Sequence, residues 1–131
     1  MTDIQLLVGR VLMGILFVVA AIGKLGDVAS FAGYMASGGI PAILAWPVVL
    51  FELGFGLALI AGFQTRIVAY ALGAFCVVSA LLYHFDPANQ MQMNQFLKNL
   101  ALAGGYIALA AAGAGAWSVD AKLTQRRLHG A

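Results

Sequence analysis

Between Trp46 and Arg66 the chain reads WPVVLFELGFGLALIAGFQTR, an apolar stretch with one carboxylate, Glu52, near its middle. A helix of about 20 residues crosses a hydrocarbon layer of ~30 Å, so this stretch is long enough to span a bilayer. An ionised side chain at that depth costs at least ~2.5 kcal/mol on insertion scales. Glu52 must therefore face protein or water, take a partner, or be protonated, and it is the first candidate functional residue. Gly54, Ala58 and Gly62 follow at four-residue spacing. That spacing puts them on one helix face and predicts a close approach by a second helix there.

The remainder of the chain has the same character. Of its 131 residues 63% are hydrophobic and 9% charged, against roughly a quarter charged in soluble domains. So few polar residues cannot clothe a soluble globule, and the length suits one membrane domain of about four spans. The formal charge is only +2 and the basic residues are scattered, which gives no footing for nucleic-acid binding. Cys76 is the single cysteine, so an intramolecular disulfide or a CxxC redox pair is excluded. Any redox role would require a non-covalently bound cofactor.

The spans are expected at about 4–23, 43–63, 67–84 and 96–117. The first, IQLLVGRVLMGILFVVAAIG, also resembles the core of a signal peptide, but Asp3 and the lack of any other leading positive charge favour a retained helix. Lys24 to Ala42 is too polar and glycine-rich to span. Within it Asp27 is placed to cap a short interfacial helix over 28–35, with Phe31, Tyr34 and Met35 on one side. Gly62 to Arg66 is a very short connection, so the second and third spans must be antiparallel neighbours. Ala69 and Gly73 offer the third span a small face, and Tyr70, Cys76 and Ser79 read as structural polar groups. His84, Asp86, Met91 and Met93 around the next connection contain donors that suit copper(I). Methionines in a loop beside a membrane read instead as apolar anchors, and no metal site is expected. The tail from Asp120 to Ala131 reads as an interfacial cap.

The expected fold is therefore all-α, a four-transmembrane-helix bundle with a short interfacial helix between the first two spans. Arg10, Arg66, Lys122, Arg126 and Arg127 fall on one side of the membrane, Lys24 and Lys98 on the other. The positive-inside rule then puts both termini in the cytoplasm, with Arg66 a structural charge at that end. Arg10 and Glu52 would differ in depth by roughly 8 Å at 1.5 Å per residue, within reach of a buried pair. Lys24, His84 and Lys98 would ring the opposite mouth. One interior carboxylate beneath such a rim suits an anionic or quinone-like head group, and Tyr83 and Tyr106 would add hydroxyls.

Five blocks, GRVLMGILFVVAAIGKL, GGIP, FELGFGLALIAGFQTR, YHF and FLKNLALAGGYIAL, together with the closing GAGAWSVD, resemble the DoxX family of small bacterial inner-membrane proteins. The resemblance runs in order from about Val8 to Leu123. It implies a four-helix membrane protein, and the family name is attached to small subunits of quinone-linked oxidoreductases and to sulfur and oxidative-stress metabolism. The family's motif positions fall on Arg10, Lys24, Glu52, Arg66, His84 and Lys98. The absence of a cysteine pair sets the chain apart from thiol-disulfide proteins of similar shape.

The reading that joins these strands is a membrane subunit that binds a quinone or similar amphipathic redox molecule and works with a soluble or membrane oxidoreductase partner. Glu52 would meet the head group, Arg10 would tune Glu52, and Lys24, His84 and Lys98 would form the rim. His84 and His129 are the only histidines, so paired haem ligands on facing helices are not available and a self-contained oxidase is not expected. The alternatives are a non-enzymatic assembly factor with a register-fixing Glu52, and a small-solute or proton transporter. A transporter would need an enclosing homo-oligomer.

Overall fold

The computed structural model describes residues 1–131 and contains only helices. They are α1 (Thr2–Leu25), α2 (Val28–Ser37), α3 (Ala45–Ala61), α4 (Thr65–Tyr83), α5 (Gln90–Ala112) and α6 (Val119–His129), with a 3₁₀ turn, Ala42–Leu44, leading into α3. Three helical stretches are long and apolar enough to cross a membrane: Thr2–Leu25, Ala42–Ala61 and Thr65–Tyr83. α5 has 23 residues but opens with the polar run QMQMNQ, which lowers its hydropathy below theirs.

Local chemistry accounts for most boundaries. Asp27 caps α2, its side chain accepting from the Ser30 N–H at 3.0 Å. Pro47 falls in the first turn of α3, where a backbone N–H has no intrahelical partner to lose. α3 stops at Gly62, in the left-handed region at φ 74°, with Phe63 N–H donating to Ala58 O at 2.9 Å. This bond closes the helix end in the Schellman manner, and only Phe63 and Gln64 remain before α4 begins.

The last long helix departs from the sequence expectation. A fourth span was expected over 96–117, yet α5 starts at Gln90, where the Asn89 side chain accepts from Gln92 N–H. It ends at Ala112 because Gly113 sits at φ 85° and Gly115 at φ 79°. Trp117 is therefore on a loop, 113–118, that folds back across the end of the bundle. The tail after it is a helix, α6, with Ser118 as its cap.

α1 lies antiparallel against α3, and α4 antiparallel against α5. The first pair meets at Gly14 and Gly56: a Cβ on Gly14 would lie 2.8 Å from Gly56 O, and one on Gly56 would lie 3.0 Å from Gly14 O. Of the small face expected from Gly54, Ala58 and Gly62, Gly54 is not at the contact, since it has open space beside it. Two residues of helix turn it about 200° away from Gly56. The second pair meets where Gly73 lies against Tyr106 Cβ and Ala103, as Ala69 and Gly73 led one to expect. An aromatic layer joins the two pairs. Phe17 meets Phe75 edge-on at 5.7 Å and Tyr106 at 5.9 Å, and Phe51 bridges Phe55 and Phe75. Tyr106 is fully buried and donates its hydroxyl to Met13 O at 2.9 Å. In a bilayer such packing, rather than water exclusion, holds helices together.

Candidate functional site

Glu52 lies at the start of the third turn of α3 and faces α1, where Lys24 occupies the last turn. Lys24 Nζ sits 2.6 Å from both carboxylate oxygens, and the pair is the molecule's only salt bridge. The Glu52 side chain is 3% exposed and that of Lys24 26%. Lys24 Nζ also stands 4.8 Å above the Phe31 ring of α2, a cation–π contact that holds the ammonium from its other side. Two bonds from one ammonium satisfy the attraction without filling the carboxylate, which has about four lone-pair directions.

Glu52 borders two cavities. One, of about 310 Å³, is enclosed by α2, α3 and α4, and its walls include Phe31, Tyr34, Val48, Val78, Leu82 and Tyr83. The second, of about 220 Å³, lies toward α1 and α5 and is bordered by Leu16, Phe17, Cys76, Lys98, Asn99 and Leu102. Glu52, Phe75 and Ser79 line both. The carboxylate therefore stands at the junction of two spaces, one with Lys24 and His84 on its border and the other with Lys98.

α2 closes the larger cavity through a tyrosine latch. Tyr34 and Tyr83 stack at 4.8 Å, and the Tyr83 hydroxyl donates to Met35 O at 3.0 Å. Gly38 fits directly under the Tyr83 ring, in space that a Cβ would occupy. Partial burial and then the neighbouring Tyr83 hold the Tyr34 phenol above its ordinary pKa. Asp27, bonded to the Ser30 hydroxyl and N–H, is held below the ordinary carboxylate value. His84 borders the same cavity and shares a 2.9 Å hydrogen bond between Nδ1 and Gln92 Oε1, leaving Nε2 free. No three His, Cys, Asp or Glu side chains gather anywhere in the chain.

Arg10 is elsewhere. The expected Arg10–Glu52 pair does not form: Arg10 Nη1 donates to Ala114 O and Nη2 to Trp117 O, each at 2.7 Å. Arg10 is 1% exposed and its guanidinium packs over Gly62. The carbonyls of loop 113–118 are fixed acceptors at that depth, and a span expected to be helical through Trp117 concealed them. Arg66 lies at the same end, beside Gly113. Of the six motif positions, Lys24, Glu52 and His84 thus share one cavity, Lys98 borders the adjoining one, and Arg10 and Arg66 brace the opposite end. Phe31, Ser79, Gln92 and Asn99 were not singled out as site residues. The only signal for Phe31 was its place on the apolar side of the capped interfacial helix.

Comparison with known proteins bears out the family resemblance of the sequence blocks. The model of the family described as DoxX matches residues 5–85. The chain belongs to the DoxX family. It is 39% identical over 124 residues to inner membrane protein YqjF of Escherichia coli strain K12, covering 95% of both chains. It is 28% identical to inner membrane protein YphA of the same organism, covering 89% of both. No solved structure matches. The DoxX match ends just past His84, so it takes in Lys24, Glu52 and His84 and leaves out Lys98 on α5.

Proposed function

We propose that this DoxX-family integral membrane protein binds a quinone-like or similarly amphipathic redox molecule in the cavity above Glu52, as an accessory subunit to a membrane or soluble oxidoreductase partner. The observation that carries this reading is the Lys24–Glu52 pair, nearly buried yet bordering two cavities. A buried ion pair is a weak stabiliser, since desolvation offsets most of the attraction. A polar centre set among Phe31, Phe75 and Leu82 is better explained as a place to receive a ligand's polar end. The residues fit such a group: aromatic faces for a ring, Glu52 as hydrogen-bond acceptor, and Ser79 and Tyr34 as hydroxyl donors. A bound quinone would supply two-electron chemistry coupled to protons, and Glu52 and His84 are the groups that would exchange protons with it.

In this reading α5 is a fourth span. Its 23 residues give about 35 Å of helix, and it packs antiparallel along α4 through Gly73, Ala103 and Tyr106. The protein then lies in the bacterial inner membrane, as the names of its relatives suggest. Both termini are cytoplasmic, because Arg10, Arg66, Lys122, Arg126 and Arg127 share one end and Lys24 and Lys98 the other.

The test is thermal unfolding of the detergent-purified protein during titration with a short-chain ubiquinone, for the native chain and for Glu52→Gln. Saturable stabilisation that disappears in a folded Glu52→Gln supports a head-group site on Glu52. No stabilisation in either shifts the reading to an assembly role, for which Lys24–Glu52 would be the bolt between α1 and α3.

A further inference from the structure

The smaller of the two cavities at Glu52 has walls unlike those of the larger one. It measures about 220 Å³, several times the ~30 Å³ that one water occupies in the liquid. Four polar side chains other than Glu52 border it: Ser79, Gln95, Lys98 and Asn99. Of these only Asn99 hydrogen-bonds to protein, donating one amide hydrogen to Gln95 O at 2.9 Å. Lys98 has no carboxylate partner, since Lys24–Glu52 is the only salt bridge. The four are unpaired without being sealed. Arg10 Nε and Thr65 Oγ1 are the only buried polar side-chain atoms left without a partner, so the Ser79 hydroxyl is open to a probe the size of water, and Gln95 and Lys98 are exposed.

Depth decides what fills this space. α3 and α5 enter the bundle from the same end. Glu52 is the eighth residue of α3 and Lys98 the ninth of α5, so at 1.5 Å per residue both lie roughly 10–12 Å along their helices. An ammonium, amides and a hydroxyl without partners at that depth are costly against hydrocarbon. Water satisfies all of them. A cavity holds water when it is roomy and offers each molecule about two to four polar partners, and this one meets both conditions. The larger cavity, walled by Phe31, Val48, Val78 and Leu82, suits an apolar ring instead.

We infer that the smaller cavity is a water-filled passage joining Glu52 to the aqueous phase at the Lys24–Lys98 end, with Ser79 and Asn99 holding the water and Lys98 at its mouth. Through it Glu52 exchanges protons. The carboxyl O–H breaks, the proton leaves on a cavity water as hydronium, and the carboxylate stays on Lys24; the reverse step restores it, and no electron moves. The inference rests on the reading of the larger cavity as a ligand site, for which it supplies the route that recharges Glu52.

Silver ion, near a water molecule in size and excluded from hydrocarbon, probes the passage. In a Cys76→Ala chain held in lipid nanodiscs, single Ser79→Cys, Asn99→Cys and Leu100→Cys variants are exposed to silver nitrate. Thiols left free are then counted by alkylation and mass spectrometry after denaturation. Leu100 is exposed on α5 and borders neither cavity, so it is the lipid-facing control. Ser79→Cys and Asn99→Cys should be blocked at least about tenfold faster than Leu100→Cys, because hydrocarbon excludes an ion more strongly than that ratio requires. Ala20 borders the smaller cavity and not the larger, and Ala20→Leu should slow the blocking of Ser79→Cys about tenfold by the same exclusion. Should Ala20→Leu not fold, Asn99→Leu carries the same expectation. A Ser79→Cys thiol blocked no faster than Leu100→Cys, or at a rate unchanged by the plug in folded protein, would overturn the passage. Ubiquinone is absent from every arm, so a failed ubiquinone titration leaves this result standing, and a dry passage leaves that titration standing.

Discussion

The destination of Arg10 gives the sharpest test of the fold. Its two bonds to Ala114 O and Trp117 O, both 2.7 Å, pin loop 113–118 across the bundle. Hydrogen bonds to a charged group contribute about 1.5–3 kcal/mol each. Lysine keeps the charge but lacks the fork, so Arg10→Lys retains at most one bond and should cost roughly 2 kcal/mol. Arg10 and Lys24 are 14 residues apart on α1, about 21 Å along its axis at 1.5 Å per residue. Glu52, bonded to Lys24, therefore shares no partner with Arg10. In a double-mutant cycle Arg10→Lys and Glu52→Gln should then add to within ~0.5 kcal/mol. Reversible unfolding in mixed micelles of rising dodecyl sulfate content, followed by helical circular dichroism, measures all four free energies. A coupling above ~1 kcal/mol would mean that Arg10 and Glu52 interact directly and that the loop contacts are misplaced. An Arg10→Lys variant as stable as the native chain would refute the fork.

The helix faces can be checked by adding a single methyl. Gly14→Ala forces its Cβ to 2.6 Å from Ile60 Cγ1 and 2.8 Å from Gly56 O and should cost about 1–3 kcal/mol by overpacking, whereas Gly54→Ala, with open space, should be neutral or slightly stabilising in the same unfolding assay. Gly38→Ala would push Tyr83 off α2, so limited proteolysis should cut Lys24 to Ala42 faster than in the native protein while leaving α6 cleavage unchanged. Lys24→Met strands the Glu52 carboxylate and should destabilise more than Lys24→Met/Glu52→Met, which removes both charges; the reverse order in the unfolding assay would count against a buried pair. The cap of α2 is sensitive to acid: the Ser30 bonds hold Asp27 below its ordinary pKa, so its contribution is complete above the ordinary aspartate value and is lost as pH falls through the lowered one. Amide exchange at Ser30, corrected for intrinsic rates, should lose protection in that acid window in the native chain and show no such step in Asp27→Asn.

Composition and hydrophobic run length were enough to define an all-helical membrane chain, because a backbone in hydrocarbon must satisfy its own hydrogen bonds within each segment. The same local chemistry placed the Asp27-capped helix α2, the tight Gly62–Arg66 connection and the Ala69–Gly73 contact face. It also singled out Glu52, since a carboxylate inside an apolar run is costly wherever the run folds. Its partner was another matter. Arg10 and Lys24 lie on the same helix, and depth arithmetic along straight spans favoured Arg10. That arithmetic compared the first two spans alone and left out the chain that follows the last long helix. Gly113 and Gly115 turn the chain there, and the freed carbonyls of Ala114 and Trp117 capture the guanidinium, leaving Glu52 to Lys24. Which glycine faces a neighbour, Gly56 rather than Gly54, likewise depends on how α3 is rotated against α1. Backbone hydrogen bonds within a helix and the caps at its ends are settled within a few residues of chain, so sequence reveals them. The pairing of charges across the bundle is settled by rotation, register and loop closure among all its helices at once, and only the tertiary structure holds that information.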